Sequence, residues 1–135
     1  MTTGANNNTM AQKLMRYVGV DIIEIARIER AIKRWGESFL RRIYTDSELE
    51  LYRRKPSSLA ARFAGKEATI KALGAGGSGV GWKEVEILSA PDGRPQVSLR
   101  GRARHRAGSM GLGRLAISLA HSRECAIAFV SGEAG

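Results

Sequence analysis

The sequence has few of the features that mark secreted or membrane-spanning proteins. Its 135 residues include one cysteine, Cys125, which has no partner for an internal disulfide. A secreted, disulfide-stapled scaffold is therefore disfavoured, and a reducing cytoplasm is the expected location. No apolar run approaches the roughly 20 residues that span a bilayer, and no apolar stretch of signal-peptide type opens the chain, so we expect no membrane partner.

Acidic residues are scarce relative to basic ones. Lysine and arginine total 22 and aspartate and glutamate 13, which gives a formal charge of +9 and an isoelectric point near 10.4. Such a charge favours an anionic partner: nucleic acid, a polyphosphate ligand, an acidic protein or an anionic membrane. Aromatic residues are only 6% of the chain. Few of them interleave the basic residues, which disfavours stacking on single-stranded nucleic acid.

The length is that of one domain. Residues 1–13 are polar and lack periodicity, so we predict a disordered leader there and one folded domain over residues 14–135. A short strand is predicted at Arg16–Asp21. Helical periodicity follows, with an apolar face that carries Ile25, Ile28, Ile32, Trp35 and Phe39. Gly36 is expected to break or bend this helix.

Two further helices are predicted from their end signals. Thr45–Glu48 has the capping-box pattern, which predicts a short helix through about Arg53. A longer helix is predicted over Ser58–Leu73, capped by the Pro-Ser-Ser at residues 56–58 and ended by Gly74.

The rest of the chain changes to the two-residue period of strands. After a glycine-rich loop at residues 74–81, alternation on both sides of Pro91–Arg94 predicts a hairpin. A basic helix is predicted within residues 101–113. Strands are predicted at 115–120 and 125–130, and their bulky and small faces suggest burial on both sides. The predicted fold class is α+β, a single compact domain with helices packed on an antiparallel sheet.

Three charged residues are candidates for chemistry. Glu67 and Lys71 lie four apart on the long helix beside alanines, which leave room for a ligand; the alternative is an ordinary ion pair on a solvated helix. Asp21 lies where the first strand gives way to a helix, so it is either an N-cap or a metal ligand. Together, Asp21 and Glu67 offer the hard oxygen ligands that Mg²⁺ takes alongside waters and substrate phosphates.

Other polar residues have simpler interpretations. His121, at a strand end, is interpreted as structural, and His105 as a solvated side chain. Cys125 is interpreted as a small buried hydrophobe. The first helix has a basic face on which nucleic acid or an acidic helical protein can dock; it carries Arg27, Arg30, Arg34 and Arg41.

Four blocks of this sequence resemble those of the holo-acyl-carrier-protein synthases, in the same order. The first is Val18-Gly-Val-Asp21, followed six residues later by Arg27. The second is Arg62-Phe-Ala-Gly-Lys-Glu-Ala-Thr-Ile-Lys-Ala72. The others are Gly93-Arg94-Pro95 and the stretch Ile117–Ser122. The resemblance covers about residues 15–131.

The resemblance implies a 4′-phosphopantetheinyl transferase of the short bacterial type, with the fold of that family. Such enzymes transfer phosphopantetheine from coenzyme A to a serine of an apo-acyl carrier protein, with Mg²⁺, and release adenosine 3′,5′-bisphosphate. The resemblance also implies a homotrimer with active sites between protomers, and a role in fatty acid biosynthesis. The main alternative is a small basic nucleic-acid-binding protein, which leaves Asp21 and Glu67 unexplained.

The resemblance also implies roles for individual residues. The metal carboxylates fall on Asp21 and Glu67, and Glu67 and Lys71 are the expected catalytic residues. The expected coenzyme A contacts are Lys66, Lys71, Gly74, Pro95 and His121. The surface for the acidic carrier protein falls on Arg27, Arg30 and Arg34. The carrier protein is thus the expected partner of the basic face, and no nucleic-acid partner is expected.

Overall fold

The computed structural model describes residues 15–74 and 79–134, in which helices pack against an antiparallel sheet. The strands are β1 (Arg16–Glu24), β2 (Val85–Ser89), β3 (Pro95–Leu99), β4 (Leu112–His121) and β5 (Cys125–Ala134). The helices are α1 (Ile25–Trp35), α2 (Glu37–Ile43), α3 (Asp46–Tyr52), α4 (Pro56–Ala72) and α5 (Gly101–Ser109). The predicted leader and the middle of the glycine-rich loop lie outside the described residues.

The main sheet has the strand order β1–β5–β4, and all of its pairings are antiparallel. The predicted hairpin is confirmed as a second, two-stranded sheet of β2 and β3. Strand β1 is three residues longer than predicted because Ile22 and Ile23 continue its alternation, with Ile22 63% exposed and Ile23 buried. The α+β prediction is confirmed.

Helix α4 crosses the inner face of the main sheet, and small residues let it come close. A Cβ added at Gly19 of β1 would overlap the Ala68 carbonyl oxygen and lie 2.9 Å from the Ala72 nitrogen. Ala126 and Ala128 of β5 are fully buried on the same inner face. The close contact fixes the position of the α4 backbone relative to β1.

The outer face of the main sheet is open, so burial of the last strands on both sides was a wrong prediction for the single chain. Its exposed apolar side chains, called here the open sheet face, are Val18, Val20, Ile22, Ile127 and Phe129. In β5 Ile127 and Phe129 point outward, whereas Ala126, Ala128 and Val130 are buried on the inner face.

Two helix boundaries follow from glycine and proline. Gly36 has a φ of 58°, and the chain breaks there into α1 and α2 as predicted. Trp35 departs from the predicted apolar face: it is 57% exposed because α1 ends there and its last turn extends past the core. Helix α4 begins at Pro56 and not at a serine cap. Proline suits the first position of a helix because the N–H that it lacks would have no acceptor there. In the described ranges, no helix is long and apolar enough to cross a bilayer.

Candidate active site

Asp21 and Lys71 meet where α4 lies against β1. Asp21 is inside β1, opposite Ala128 of β5, and its side chain points toward α4. The Lys71 Nζ atom is 2.8 Å from Asp21 Oδ1 and 3.1 Å from the Val20 carbonyl oxygen. The hydrogen bond and charge of Asp21 raise the pKa of Lys71, and the charge of Glu67 adds to the increase. We call Asp21, Glu67 and Lys71 the carboxylate cluster.

This geometry overturns both simpler alternatives for these residues. Asp21 is not an N-cap, because β1 continues to Glu24, and Glu24 holds the cap position of α1. Lys71 forms its ion pair with Asp21 rather than with Glu67 one turn earlier on the helix. A contact between residues 50 positions apart in the chain therefore replaces the local one.

Glu67 is held by a residue that the sequence did not single out. Its Oε1 atom accepts a hydrogen bond of 2.9 Å from the indole N–H of Trp82. Trp82 opens a short 3-10 turn directly after the glycine-rich loop. A tryptophan at the end of a glycine-rich loop is the signal in the sequence, but nothing local links it to Glu67.

The donor atoms of the carboxylate cluster suit Mg²⁺. In the described ranges, no three His, Cys, Asp or Glu side chains come together as a metal site. Zinc sites need three or four protein ligands, whereas Mg²⁺ is held by one or two carboxylates with water and substrate phosphate oxygens. Asp21 and Glu67 are thus a fitting set for Mg²⁺ and an incomplete one for zinc.

Lys66 has no exposed surface, which argues against the expected contact with coenzyme A. Its ammonium forms an ion pair of 2.8 Å with the buried Glu48. It also donates to the Trp82 carbonyl at 3.1 Å and to the Val85 carbonyl. Burial lowers the pKa of Lys66, and Glu48 opposes that shift. These partners use the three ammonium donors, so the role of Lys66 is structural.

His121 and Pro95, both expected at the coenzyme A site, line one cleft of about 290 Å³. We call it the arginine cleft because Arg62 lies in its wall, with a residue exposure of 7%. The cleft also contains Tyr52, Ser58 and Ser89. His121 is exposed at the end of β4.

Arg62 carries a positive charge without a carboxylate partner among the described residues. Its guanidinium donates to the Ile87 carbonyl and to Ser89 Oγ, both at 3.3 Å, and lies 3.7 Å from the Tyr52 ring. A buried guanidinium with only neutral partners attracts an anion. No role for Arg62 is predicted from the sequence; the available signal is an arginine among the apolar core residues of α4.

The carboxylate cluster and the arginine cleft lie on different sides of α4. Arg62 and Glu67 are five residues apart, which at about 100° per residue places them roughly 140° apart around the helix. Gly74, with a φ of 61°, ends the helix, and its N–H bonds to the Lys71 carbonyl at 3.0 Å. A single chain therefore presents two separate groups of candidate residues.

The predicted basic face is exposed on α1. Arg27, Arg30 and Arg34 all reach solvent, and the Arg34 guanidinium lies 4.9 Å from the ring centre of the exposed Trp35. Arg41 is not part of this basic face. It lies on α2 and forms an ion pair of 3.1 Å with Glu37.

Part of the remaining positive charge is used within the fold. Arg106 donates to the Leu73 carbonyl at 2.9 Å and Arg102 to the Gly79 carbonyl at 3.2 Å, so α5 holds both ends of the glycine-rich loop. Arg100 pairs with Glu86 at 2.6 Å. These arginines brace the glycine-rich loop and the hairpin of β2 and β3.

Comparison with known proteins identifies the family. Residues 17–129 match the 4′-phosphopantetheinyl transferase superfamily. The chain belongs to this superfamily. A relative from Dehalococcoides mccartyi (strain CBDB1), named holo-[acyl-carrier-protein] synthase, is 52% identical over 116 residues, or 86% of this chain and 97% of the relative. A relative of the same name from Herpetosiphon aurantiacus is 45% identical, over 87% of this chain and 98% of its own.

Solved structures of phosphopantetheinyl transferases have the same fold. The Helicobacter pylori holo-[acyl-carrier-protein] synthase, crystallised with coenzyme A, superposes with a TM-score of 0.78 at 35% identity. The match covers 86% of this chain and 99% of that one. The Neisseria meningitidis synthase gives a TM-score of 0.77 at 32% identity, over 87% and 97% of the two chains. The family expected from the four sequence blocks is confirmed, and the chain is a transferase.

Proposed function

We propose that the protein is a holo-[acyl-carrier-protein] synthase that transfers 4′-phosphopantetheine from coenzyme A to a serine of an apo-acyl carrier protein. The names of the relatives and the coenzyme A complex of the Helicobacter pylori protein support this activity. The observation that carries the proposal is the carboxylate cluster, in which Lys71 lies 2.8 Å from Asp21 and Glu67 lies four residues earlier on the same helix.

The proposed reaction is a displacement at phosphorus. The serine oxygen forms a bond to the phosphorus that bears pantetheine, and the bond from that phosphorus to the bridging oxygen breaks, so adenosine 3′,5′-bisphosphate leaves. Asp21 and Glu67 would hold Mg²⁺, which would supply positive charge near the pyrophosphate oxygens. The Lys71 ammonium adds charge where negative charge develops. Glu67 or a water molecule accepts the serine proton.

Coenzyme A is proposed to bind through residues of both groups. The arginine cleft offers Arg62 and His121 to phosphate oxygens, with Pro95 as an apolar wall. Lys71 and Gly74 face the same ligand from the end of α4. Lys66 is left out of this set because its donors are all used inside the protein.

We propose a homotrimer in which the active site lies between neighbouring protomers. The open sheet face is a contiguous apolar surface of the kind that marks a subunit interface. A head-to-tail contact that closes into a ring presents the carboxylate cluster of one protomer to the arginine cleft of the next. In this arrangement the two groups of residues, which lie on different sides of α4 in one chain, come together from two chains.

The basic face of α1 is proposed to receive the carrier protein. Carrier proteins are acidic, so Arg27, Arg30 and Arg34 complement their charge and speed the encounter. Trp35 adds an exposed aromatic side chain beside Arg34, of the type that anchors protein interfaces.

The intact mass of an apo-acyl carrier protein tests the proposed reaction. The carrier is incubated with coenzyme A and this protein, with Mg²⁺ or with a chelator. A mass increase of one phosphopantetheine that requires metal is expected, and a carrier with its acceptor serine changed to alanine is the control. No increase with several carriers, or an increase that persists in chelator, contradicts the proposal.

A further inference from the structure

Trp82 links the most deeply buried charge pair of the protein to the carboxylate cluster. Its carbonyl oxygen accepts a hydrogen bond from Lys66 Nζ at 3.1 Å, while its indole N–H donates to Glu67 Oε1 at 2.9 Å. The indole ring stacks on Phe63 at 6.1 Å between ring centres and lies 6.0 Å from the Arg42 guanidinium. Both the backbone and the side chain of Trp82 are therefore held in place.

The anchor behind Trp82 is rigid. Lys66 and Glu48 are both fully buried and pair at 2.8 Å. Glu48 also accepts from the Ile87 N–H at 2.8 Å and from the Thr45 N–H at 2.9 Å, which completes the capping box of α3. A buried pair whose remaining groups are all satisfied adopts one geometry. Because its carbonyl is bound to Lys66, the Trp82 backbone has a defined position and orientation.

We propose that Trp82 is a positioning residue that orients the Glu67 carboxylate for metal binding; this inference rests on the proposed function. A glutamate side chain has three rotatable bonds, and fixing one carboxylate oxygen aims the other. Outer hydrogen bonds of this kind set the orientation and affinity of metal-binding carboxylates. The indole N–H suits the role because it only donates and does not titrate.

The Trp82→Phe variant separates the hydrogen bond from the packing. Phenylalanine keeps an aromatic ring against Phe63 and lacks the N–H donor; its ring is smaller than indole, so any loss of packing must be read from stability. The control for metal binding is Trp35→Phe, which makes the same chemical change at the exposed end of α1; the binding assay contains no carrier protein, so the proposed docking role of Trp35 is not involved. Urea unfolding of both variants checks that the fold is kept.

The test is the binding of Mn²⁺, used as the probe for the Mg²⁺ site, with coenzyme A present and no carrier protein. Calorimetry or the paramagnetic resonance signal of free Mn²⁺ gives the dissociation constant without turnover. Loss of an outer partner raises metal dissociation constants about 10–100-fold, so we expect at least about a tenfold increase for Trp82→Phe and none for Trp35→Phe. In turnover, the KM for Mg²⁺ of Trp82→Phe should rise while kcat at saturating Mg²⁺ is largely kept.

Two results would overturn the inference, and they differ in what they say about the function. If the unmodified protein and Trp82→Phe bind Mn²⁺ with the same dissociation constant, Trp82 only fills space and the proposed function is untouched. If the unmodified protein with coenzyme A binds no Mn²⁺, the metal assignment of Asp21 and Glu67 is wrong, and the role of Trp82 falls with it.

Discussion

The contact of α4 with β1 at Gly19 gives the sharpest prediction about the fold and the site together. A Cβ at this position meets the Ala68 carbonyl oxygen and the Ala72 nitrogen, which are both backbone atoms of α4. A helix backbone has no rotamer by which to move aside, so the whole helix must shift. Overpacking of this kind costs about 1–3 kcal/mol and sometimes more. We expect Gly19→Ala to lower the free energy of unfolding by about 3 kcal/mol, the upper end of that range.

Two other glycines complete a graded series. At Gly65 an added Cβ lies 2.5 Å from Ile87 Cδ1 and 3.2 Å from Ile117 Cδ1, which are the ends of flexible side chains. A helix gain of up to about 1 kcal/mol offsets part of the overpacking, so Gly65→Ala should cost about 1 kcal/mol. At Gly108 of α5 no atom lies within 4 Å, and alanine should stabilise by about 0.5–1 kcal/mol.

Urea unfolding followed by circular dichroism measures all three variants. The shift of α4 in Gly19→Ala should also change the distance from Lys71 to Asp21, so transfer activity should fall as well. A Gly19→Ala protein as stable as the unmodified chain would refute the close contact. A loss in Gly108→Ala equal to that in Gly19→Ala would show that glycine flexibility, not space, decides the series.

Further variants test the metal site, the docking surface and the buried ion pair separately. Asp21→Asn should lower kcat/KM by at least about 100-fold, because the negative charge that binds metal and pairs with Lys71 is lost; a near-normal rate with Mg²⁺ contradicts the metal assignment. Arg27→Glu should raise the KM for carrier protein far more than that for coenzyme A, while Arg104→Glu on α5 changes neither; equal effects of Arg27→Glu on both substrates argue against the docking surface. Lys66→Met leaves Glu48 buried without its partner and should cost about 3–5 kcal/mol. Adding Glu48→Leu should recover only the part due to the unpaired charge, because it also strands the Thr45 and Ile87 N–H groups. A loss below about 1 kcal/mol for Lys66→Met in urea unfolding contradicts the buried pair.

Local signals in the sequence predicted most elements of the fold. The capping box at Thr45 and Glu48 is present, with both reciprocal hydrogen bonds. The break at Gly36 and the hairpin around Gly93 follow from conformations that glycine adopts readily. Each of these features depends on residues within a few positions of one another, which is the range over which sequence patterns are informative.

The site was predicted less completely because its contacts are distant in sequence. Lys66 and Lys71 look alike in the sequence, yet one is fully buried and the other is exposed beside Asp21. Their difference depends on which side of α4 meets the sheets, which tertiary packing decides. The hydrogen bond from Trp82 to Glu67 joins residues that the glycine-rich loop separates in the sequence, and no local pattern predicts it.

In the proposed trimer, the carboxylate cluster of one protomer and the arginine cleft of the next form one active site. Mixed oligomers of Glu67→Ala and Arg62→Ala chains test it most directly, each variant being inactive alone. The Arg62→Ala chain keeps Glu67, and the Glu67→Ala chain keeps Arg62. In an equal, random mixture, about a quarter of the interfaces place an intact Glu67 opposite an intact Arg62. If sites are shared, about a quarter of the transfer activity should therefore return. Transfer that stays at the level of the single variants, in oligomers shown by native mass to be mixed, would contradict the claim.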